Sequence, residues 1–253
     1  MDVHPMAARA FGGAAEDYER GRPGWPADAI ASLLDRFDAH TVLDLAAGTG
    51  KLTQTLAQLT DDVIAVEPLD GMRRVLERRL PQVRALAGTA EAIPLPDGSV
   101  DAVFVAEAFH WFDLPRALAE VARVLRRGGS LAVMWNTSGD DGVSWFDALH
   151  AIVQEHRVES ATPPGRERVP WRPALEADSR FGPLQDEEAT HEQRTDRDGV
   201  LAMISSFSFI GGLPDERRDA ALAECRAVLG RHGVDTVTLT YKTLITTTRR
   251  IDG

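Results

Sequence analysis

Val42-Leu-Asp-Leu-Ala-Ala-Gly-Thr-Gly-Lys-Leu-Thr53 reads as a buried strand that breaks at Gly48 and Gly50 and runs on into a helix. The apolar run from Thr41 to Leu45 suits a strand covered on both faces. The two glycines let the backbone turn sharply with no Cβ between it and a ligand. The third glycine of a dinucleotide fingerprint is missing, its place held by Thr53, so a pyrophosphate ligand is disfavoured. P-loop spacing is missing too, which disfavours a nucleoside triphosphate. The corner suits an adenosine-containing cofactor, or serves only to close a strand-to-helix turn, and the downstream segments decide between the two.

The downstream segments repeat the same rhythm. Asp62-Val-Ile-Ala-Val-Glu67 is a second β-branched strand, and Glu67 falls at the distance where doubly wound folds place an acid on ribose hydroxyls. Pro68 stops that strand. In the following helix Met72, Val75, Leu76 and Leu80 face inward, so Met72 lies either against an adenine ring or simply in the core. A third strand, Val83 to Ala87, leads to the polar turn Gly88-Thr89-Ala90-Glu91, whose amides, carbonyls and Glu91 suit an adenine edge. A fourth strand, Ser99 to Ala106, is followed by Glu107-Ala-Phe-His-Trp-Phe112, at the carboxyl end of the sheet where open α/β folds bind ligands. A helix from Leu114 to Leu125, ended by Gly128-Gly129, carries the chain to a fifth strand, Ser130 to Trp135. Further on, 189–195 and Thr236 to Thr248 read as strands, with an Ala-rich helix from Ala220 to Leu229 between them.

These parts together resemble the class I S-adenosylmethionine-dependent methyltransferases, in the small-molecule group with a type 11 methyltransferase domain. The resemblance is carried by Leu43-Asp-Leu-Ala-Ala-Gly-Thr-Gly50, Val66-Glu67-Pro68, Gly88-Thr-Ala-Glu-Ala-Ile-Pro-Leu-Pro-Asp97, Ala108-Phe-His-Trp-Phe112 and Arg123-Val-Leu-Arg-Arg-Gly-Gly129. The N-terminal Phe11-Gly-Gly-Ala-Ala-Glu-Asp-Tyr18 and Arg20-Gly-Arg-Pro-Gly-Trp-Pro26 are similar to the cap of that group. Ser206-Phe-Ser-Phe-Ile-Gly-Gly-Leu-Pro214 resembles a signature of the branch related to trans-aconitate methyltransferase.

The resemblance implies a Rossmann-like seven-stranded sheet in the order 3-2-1-4-5-7-6, its last strand antiparallel beside the fifth. It implies one domain over 1–253, with a cap at 1–30 and a helical insertion at 140–180 on the substrate side. S-adenosyl-L-methionine is the implied cofactor and S-adenosyl-L-homocysteine its product. The implied cofactor contacts are Tyr18, Arg22, Asp44, Ala46, Gly48, Thr49, Gly50, Glu67, Pro68, Met72, Thr89, Ala90, Glu91 and Ala106. Tyr18 and Arg22 fall at the methionine end, where a guanidinium suits a carboxylate; the alternative is that they pin a surface helix to the domain.

Composition sets the outer limits. A chain of 253 residues, 43% hydrophobic, suffices for one large α/β domain with a lid. No apolar run approaches the roughly 18 residues of a membrane span, and the N-terminus lacks a signal-peptide pattern. A soluble, cytoplasmic monomer or homodimer is expected. With 39 acidic against 28 basic residues the net charge is −11, which argues against nucleic acid as a partner. The single cysteine, Cys225, excludes an intramolecular disulfide and a cysteine metal cluster, and the scattered histidines lack metal-ligand spacing.

The expected reaction is in-line attack of a small-molecule nucleophile on the sulfonium methyl, helped by alignment and exclusion of water. A carboxylate acceptor is already ionised, whereas a hydroxyl needs a base. His110 is the candidate base, or else a shaper of the pocket. Trp111, Trp135 and Phe207 are the other candidates for the acceptor side. Two alternatives stand beside transfer to an organic acid or secondary metabolite: a cofactor-binding protein with lost or non-methylating chemistry, and a nicotinamide oxidoreductase on a similar sheet.

Overall fold

The computed structural model describes residues 15–138, 143–159 and 170–251. In chain order the elements are α1 (Ala15–Gly21), α2 (Ala27–Phe37), β1 (Thr41–Leu45), α3 (Lys51–Leu59), β2 (Asp62–Val66), α4 (Asp70–Arg79), β3 (Arg84–Leu86) and β4 (Val100–Ala106). There follow a 3₁₀ turn at Phe109–Trp111, α5 (Leu114–Val124), β5 (Leu125–Ser138), α6 (Ser144–Glu159), α7 (Trp171–Glu176) and β6 (Gln185–Asp196). The chain closes with α8 (Arg197–Ser205), α9 (Ser208–Gly211), α10 (Asp215–Arg231) and β7 (Thr236–Arg249).

The strands form one sheet in the order β3-β2-β1-β4-β5-β7-β6. The first five are parallel, and β7 runs antiparallel to both β5 and β6. Strand order reverses between β1 and β4, which opens a crevice at their carboxyl ends. Alternation along each strand sorts the core into two layers. Leu43 and Leu45 of β1, Val103 and Val105 of β4, and Leu131 and Val133 of β5 face α5 and α7. Val42, Ala102, Phe104, Ala132 and Met134 face the other way, onto Ile30, Leu33 and Leu34 of α2 and Leu52 and Leu56 of α3. Each fully buried side chain of this size stabilises the fold by about 1.5–3 kcal/mol relative to exposure. α2 illustrates the local logic: Pro26 precedes it, its apolar residues recur at helical spacing, and Asp38 ends it in the left-handed conformation at φ 51°.

A third apolar cluster joins Leu149 and Val153 of α6, Val200 and Ile204 of α8, Cys225 and Leu229 of α10, and Leu239 and Tyr241 of β7. Cys225 is a fully buried core thiol. α1 leans on this cluster so closely that a Cβ at Gly21 would sit 2.0 Å from the Met203 amide nitrogen. Asp17 accepts a hydrogen bond from the Ser205 hydroxyl at 2.8 Å, so α1 is fastened to α8.

Several boundaries differ from expectation. β3 is shorter than Val83 to Ala87, and β5 is much longer than Ser130 to Trp135. Val100 pairs with Leu125 but Ala102 with Ser130, so the residues between Leu125 and Ser130 bulge out. Gly128 there adopts φ 74°, and a Cβ at Gly129 would stand 2.8 Å from the Asp101 carbonyl oxygen. The helix expected to reach Leu125 therefore stops at Val124. β6 extends over Gln185–Asp196 rather than 189–195, because β7 pairs with it at every position. Of the expected 140–180 insertion, α6 and α7 are helical; 139–142 and 160–169, like the cap motif before Ala15, lie outside the described residues. Among the described residues no helix is long and apolar enough to cross a membrane.

Candidate active site

The corner after β1 is built by three left-handed residues, Ala46 at φ 60°, Gly48 at 59° and Gly50 at 90°. Gly50 is required by packing, since a Cβ would lie 2.9 Å from the Leu76 side chain of α4. Gly48 is different. Around its missing Cβ the nearest atom is Cε1 of Tyr18 at 4.0 Å, so the space belongs to whatever occupies the crevice. Its N–H donates to Glu67 Oε2 at 2.8 Å, and the Leu69 N–H donates to Oε1 of the same carboxylate at 2.8 Å. Glu67 is thus locked at the tip of β2, 5% exposed, with an acceptor position left on each oxygen. Burial pushes its carboxyl up to about 7, against those two amide hydrogen bonds. Asp44, 1% exposed, is likewise pushed up to about 7 by burial and accepts the Thr53 hydroxyl at 2.6 Å.

Around this corner lies the first cavity. Its floor is Ala46, Gly48, Glu67 and Pro68; one wall is Leu69 and Met72, and the opposite wall is Gly88, Thr89, Ala90 and Glu91. The end of β4 closes it with Ala106, Glu107 and Ala108, and Trp111, Phe112 and Tyr18 complete the lining. Glu91 accepts the Asp113 N–H at 2.9 Å, joining the turn after β3 to the start of α5. Its lining is mostly apolar, with the buried Glu67 carboxylate among it.

A second cavity adjoins the first and shares Tyr18 and Glu107 with it. Arg22, Pro23, Trp25, Lys51, Asn136, Phe146, Met203, Phe207 and Tyr241 line the remainder. The Arg22 guanidinium stands 5.4 Å from the Tyr18 ring centre and 4.8 Å from that of Phe207. Its Nε donates to the Ser206 hydroxyl at 2.8 Å and its Nη2 to the Ser206 carbonyl at 3.2 Å. Glu19 ties α1 to the glycine corner, accepting the Thr49 hydroxyl at 2.6 Å and pairing with Lys51 at 3.1 Å and Arg79 at 2.9 Å.

The residues singled out from the sequence divide into three groups. Tyr18, Ala46, Gly48, Glu67, Pro68, Met72, Thr89, Ala90, Glu91, Ala106 and Trp111 line the first cavity, while Arg22 and Phe207 line the second. Asp44, Thr49 and Gly50 shape the corner from behind. His110 and Trp135 line neither cavity. His110 lies in the 3₁₀ turn with its ring 4.8 Å from that of Trp111. Trp135 shares the strand face of Leu131 and Val133 and stacks on Trp171 of α7 at 4.6 Å, so its neighbour Asn136 points into the second cavity instead. Sequence reading passed over Glu107, although it opens the segment that ends β4. It also passed over Lys51 and Asn136, which become site residues only through tertiary packing.

The methyltransferase domain family matches residues 43–133. An uncharacterized methyltransferase of Mycobacterium tuberculosis is 41% identical over 223 residues, covering 88% of this chain and 86% of that protein. A solved structure assigned as a type II methyltransferase from Anaeromyxobacter dehalogenans superposes with a TM-score of 0.68 at 26% identity, covering 92% of this chain and 99% of that one. Over a shorter stretch, 48% of this chain and 51% of the relative, the malonyl-[acyl-carrier protein] O-methyltransferase of Methylococcus capsulatus is 42% identical. The sheet order, the antiparallel seventh strand, the glycine corner held by Glu67 and these likenesses agree: the chain belongs to the class I S-adenosylmethionine-dependent methyltransferases.

Proposed function

We propose that the protein methylates a small-molecule acceptor, an organic acid or secondary metabolite, with the cofactor in the first cavity and the acceptor in the second. The observation that carries this reading is that the two cavities meet at Tyr18 and Glu107, so ligands held in each are brought end to end. In the first cavity Met72 and the turn Thr89–Glu91 would hold the adenine, and Glu67 would accept hydrogen bonds from the ribose hydroxyls. Gly48, with no side chain, would leave room for the methionine chain, and Tyr18 and Arg22 would hold its far end. The bound cofactor supplies an electrophilic methyl on a sulfonium. The protein supplies alignment: reacting atoms held about 3–3.5 Å apart and in line gain most of their rate from the lost freedom of encounter.

Of the 1–30 segment the described residues from Ala15 on act as a cap, and α6 and α7 of 140–180 as an insertion on the acceptor side. α1 contributes Tyr18, the residue after it Arg22, and α6 Phe146 to the second cavity. The segment Ser206–Pro214, similar to the trans-aconitate branch, contributes Phe207 and the Ser206 groups that orient Arg22. A guanidinium sandwiched between two aromatic rings suits an anionic group of cofactor or acceptor. His110 backs the first cavity through Trp111, which lines it, rather than from within a cavity.

Two measurements test the reading. Calorimetric titration with S-adenosylmethionine, S-adenosylhomocysteine and NAD is expected to give binding of the two sulfur ligands only. Incubation with methyl-labelled cofactor and a panel of carboxylic acids, phenols and amines, read by mass spectrometry, is expected to give a methylated product. Tight cofactor binding with no transfer to any class would favour a non-methylating cofactor-binding protein.

A further inference from the structure

Glu107 follows β4 in the left-handed conformation, at φ 59°. For a residue with a side chain that conformation is strained, and it persists where neighbours hold it. Here the Glu107 N–H donates to the Met134 carbonyl at 2.9 Å, and its Oε1 accepts the Asn136 N–H at 2.7 Å. Both contacts come from β5, and together they turn the side chain into the junction of the two cavities. Tyr18 is the other described residue common to both linings.

The other polar groups of the second cavity are occupied in ways that leave proton acceptance to Glu107. Burial pushes the Tyr18 phenol up to about 12, so it stays protonated. The Tyr241 hydroxyl donates to Met203 Sδ at 3.3 Å. Arg22 donates to Ser206, and Lys51 pairs with Glu19. The Asn136 amide donates to the Gly24 carbonyl and accepts the Thr243 hydroxyl. His110, the base suggested by sequence, lies outside both linings.

We propose that Glu107 is a catalytic base that takes the proton of a neutral hydroxyl or amine acceptor as it attacks the cofactor methyl. This rests on the reading that the acceptor occupies the second cavity. In the step, the acceptor lone pair forms the bond to the methyl carbon and the carbon–sulfur bond breaks with its pair left on sulfur. The sulfonium becomes a neutral thioether, and the acceptor O–H or N–H proton passes to the Glu107 oxygen not engaged by Asn136. A neutral nucleophile gains positive charge during attack, which a carboxylate at the junction stabilises. A carboxylate nucleophile has no proton to give and meets a like charge there. Burial raises the Glu107 carboxyl toward the range useful to a base, opposed by Arg22 and the Asn136 N–H. Tyr18 from α1, Arg22 just after it, Lys51 from α3, Asn136 from β5 and Tyr241 from β7 share its second cavity, and Glu67 and Glu91 are the other carboxylates lining the first.

The test compares wild type with Glu107→Gln, which keeps the length of the side chain and an oxygen for the Asn136 N–H, and with Glu107→Asp. Each is assayed with methyl-labelled S-adenosylmethionine on phenols, amines and hydroxyl-free carboxylic acids from pH 5.5 to 9. Cofactor Kd is measured separately by calorimetry. Phenols or amines are expected to accept the methyl. The Gln variant should lose kcat by about 100-fold or more, hold cofactor Kd within about threefold, and lose the acid limb of the wild-type pH–rate profile. The Asp variant should retain that limb at an intermediate rate. Transfer confined to carboxylic acids, a Gln variant with kcat within about threefold of wild type, or one whose main defect is a cofactor Kd weakened tenfold or more, would each overturn the proposal. Transfer that proceeds without Glu107 removes the base alone. A wild type that binds cofactor but methylates no class removes the acceptor reading and the base with it.

Discussion

The two cavities are built by different means. The first is made almost wholly from consecutive strand ends between Ala46 and Phe112, and its key contacts are main-chain amides on one carboxylate. The second draws side chains from α1, α3, β5, α6, α8 and β7 and from the residues flanking them, so its shape depends on how the third apolar cluster packs against the sheet. A site written into the backbone of parallel strands tolerates little change. One written in side chains borrowed from several elements is free to vary in what it accepts, as expected of a fold that keeps one cofactor and serves many acceptors.

Changes at the glycine corner and Glu67 are therefore expected to weaken cofactor binding, and changes to side chains that line the second cavity alone to spare it. The largest effect belongs to Gly48→Val. At φ 59° a β-branched side chain is strained and fills the approach to the corner, so cofactor Kd measured by calorimetry should weaken by more than about 100-fold. Glu67→Gln comes next. It removes charge from a carboxylate already engaged by two amides and expected to receive the ribose, and Kd should weaken by about 10- to 100-fold. In the second cavity, Phe207→Ala removes one face of the Arg22 sandwich. Acceptor KM should rise about tenfold while cofactor Kd stays within about twofold, since an aromatic contact of this kind is worth about 0.5–2 kcal/mol. Equal losses in both constants would erase the distinction between the cavities.

The smallest effect is a pH dependence of the first cavity. Asp44 and Glu67 have carboxyls near 7 in the fold but near 4 in an unfolded chain, so ionising them opposes folding, and the empty protein loses stability as pH rises from about 4 through about 7. Ribose hydroxyls and a sulfonium favour the ionised forms. Cofactor affinity should therefore rise several-fold between pH 6 and 8, with protons released on binding, as read by calorimetry in buffers of differing ionisation heat. Affinity that falls over this interval would place the cofactor away from these carboxylates.

The contrast between the cavities also explains what sequence made legible. Strand identity, the glycine corner and Glu67 are local features, set by apolar runs, glycine geometry and spacing within βαβ units. Thr53, conspicuous only as a missing glycine, turns out to cap Asp44 from inside the core. Trp135 and Asn136 are adjacent on one strand, and which of them faces the second cavity is decided by the α7 packing that takes Trp135. Lys51 and Phe146 reach the same cavity from distant parts of the chain, which no pattern along the chain announces. Glu107 was locally visible, but its left-handed backbone and its hold on Asn136 were not.

The central claim, cofactor in the first cavity and acceptor in the second, is most directly tested by a crystal structure of the protein with S-adenosylhomocysteine. The expected density has adenine between Met72 and the Thr89–Glu91 turn, ribose hydroxyls on Glu67, and the sulfur at the Tyr18–Glu107 junction, with the space before Phe207 and Phe146 left open. Adenosine density in the second cavity, or a sulfur remote from that junction, would contradict the account.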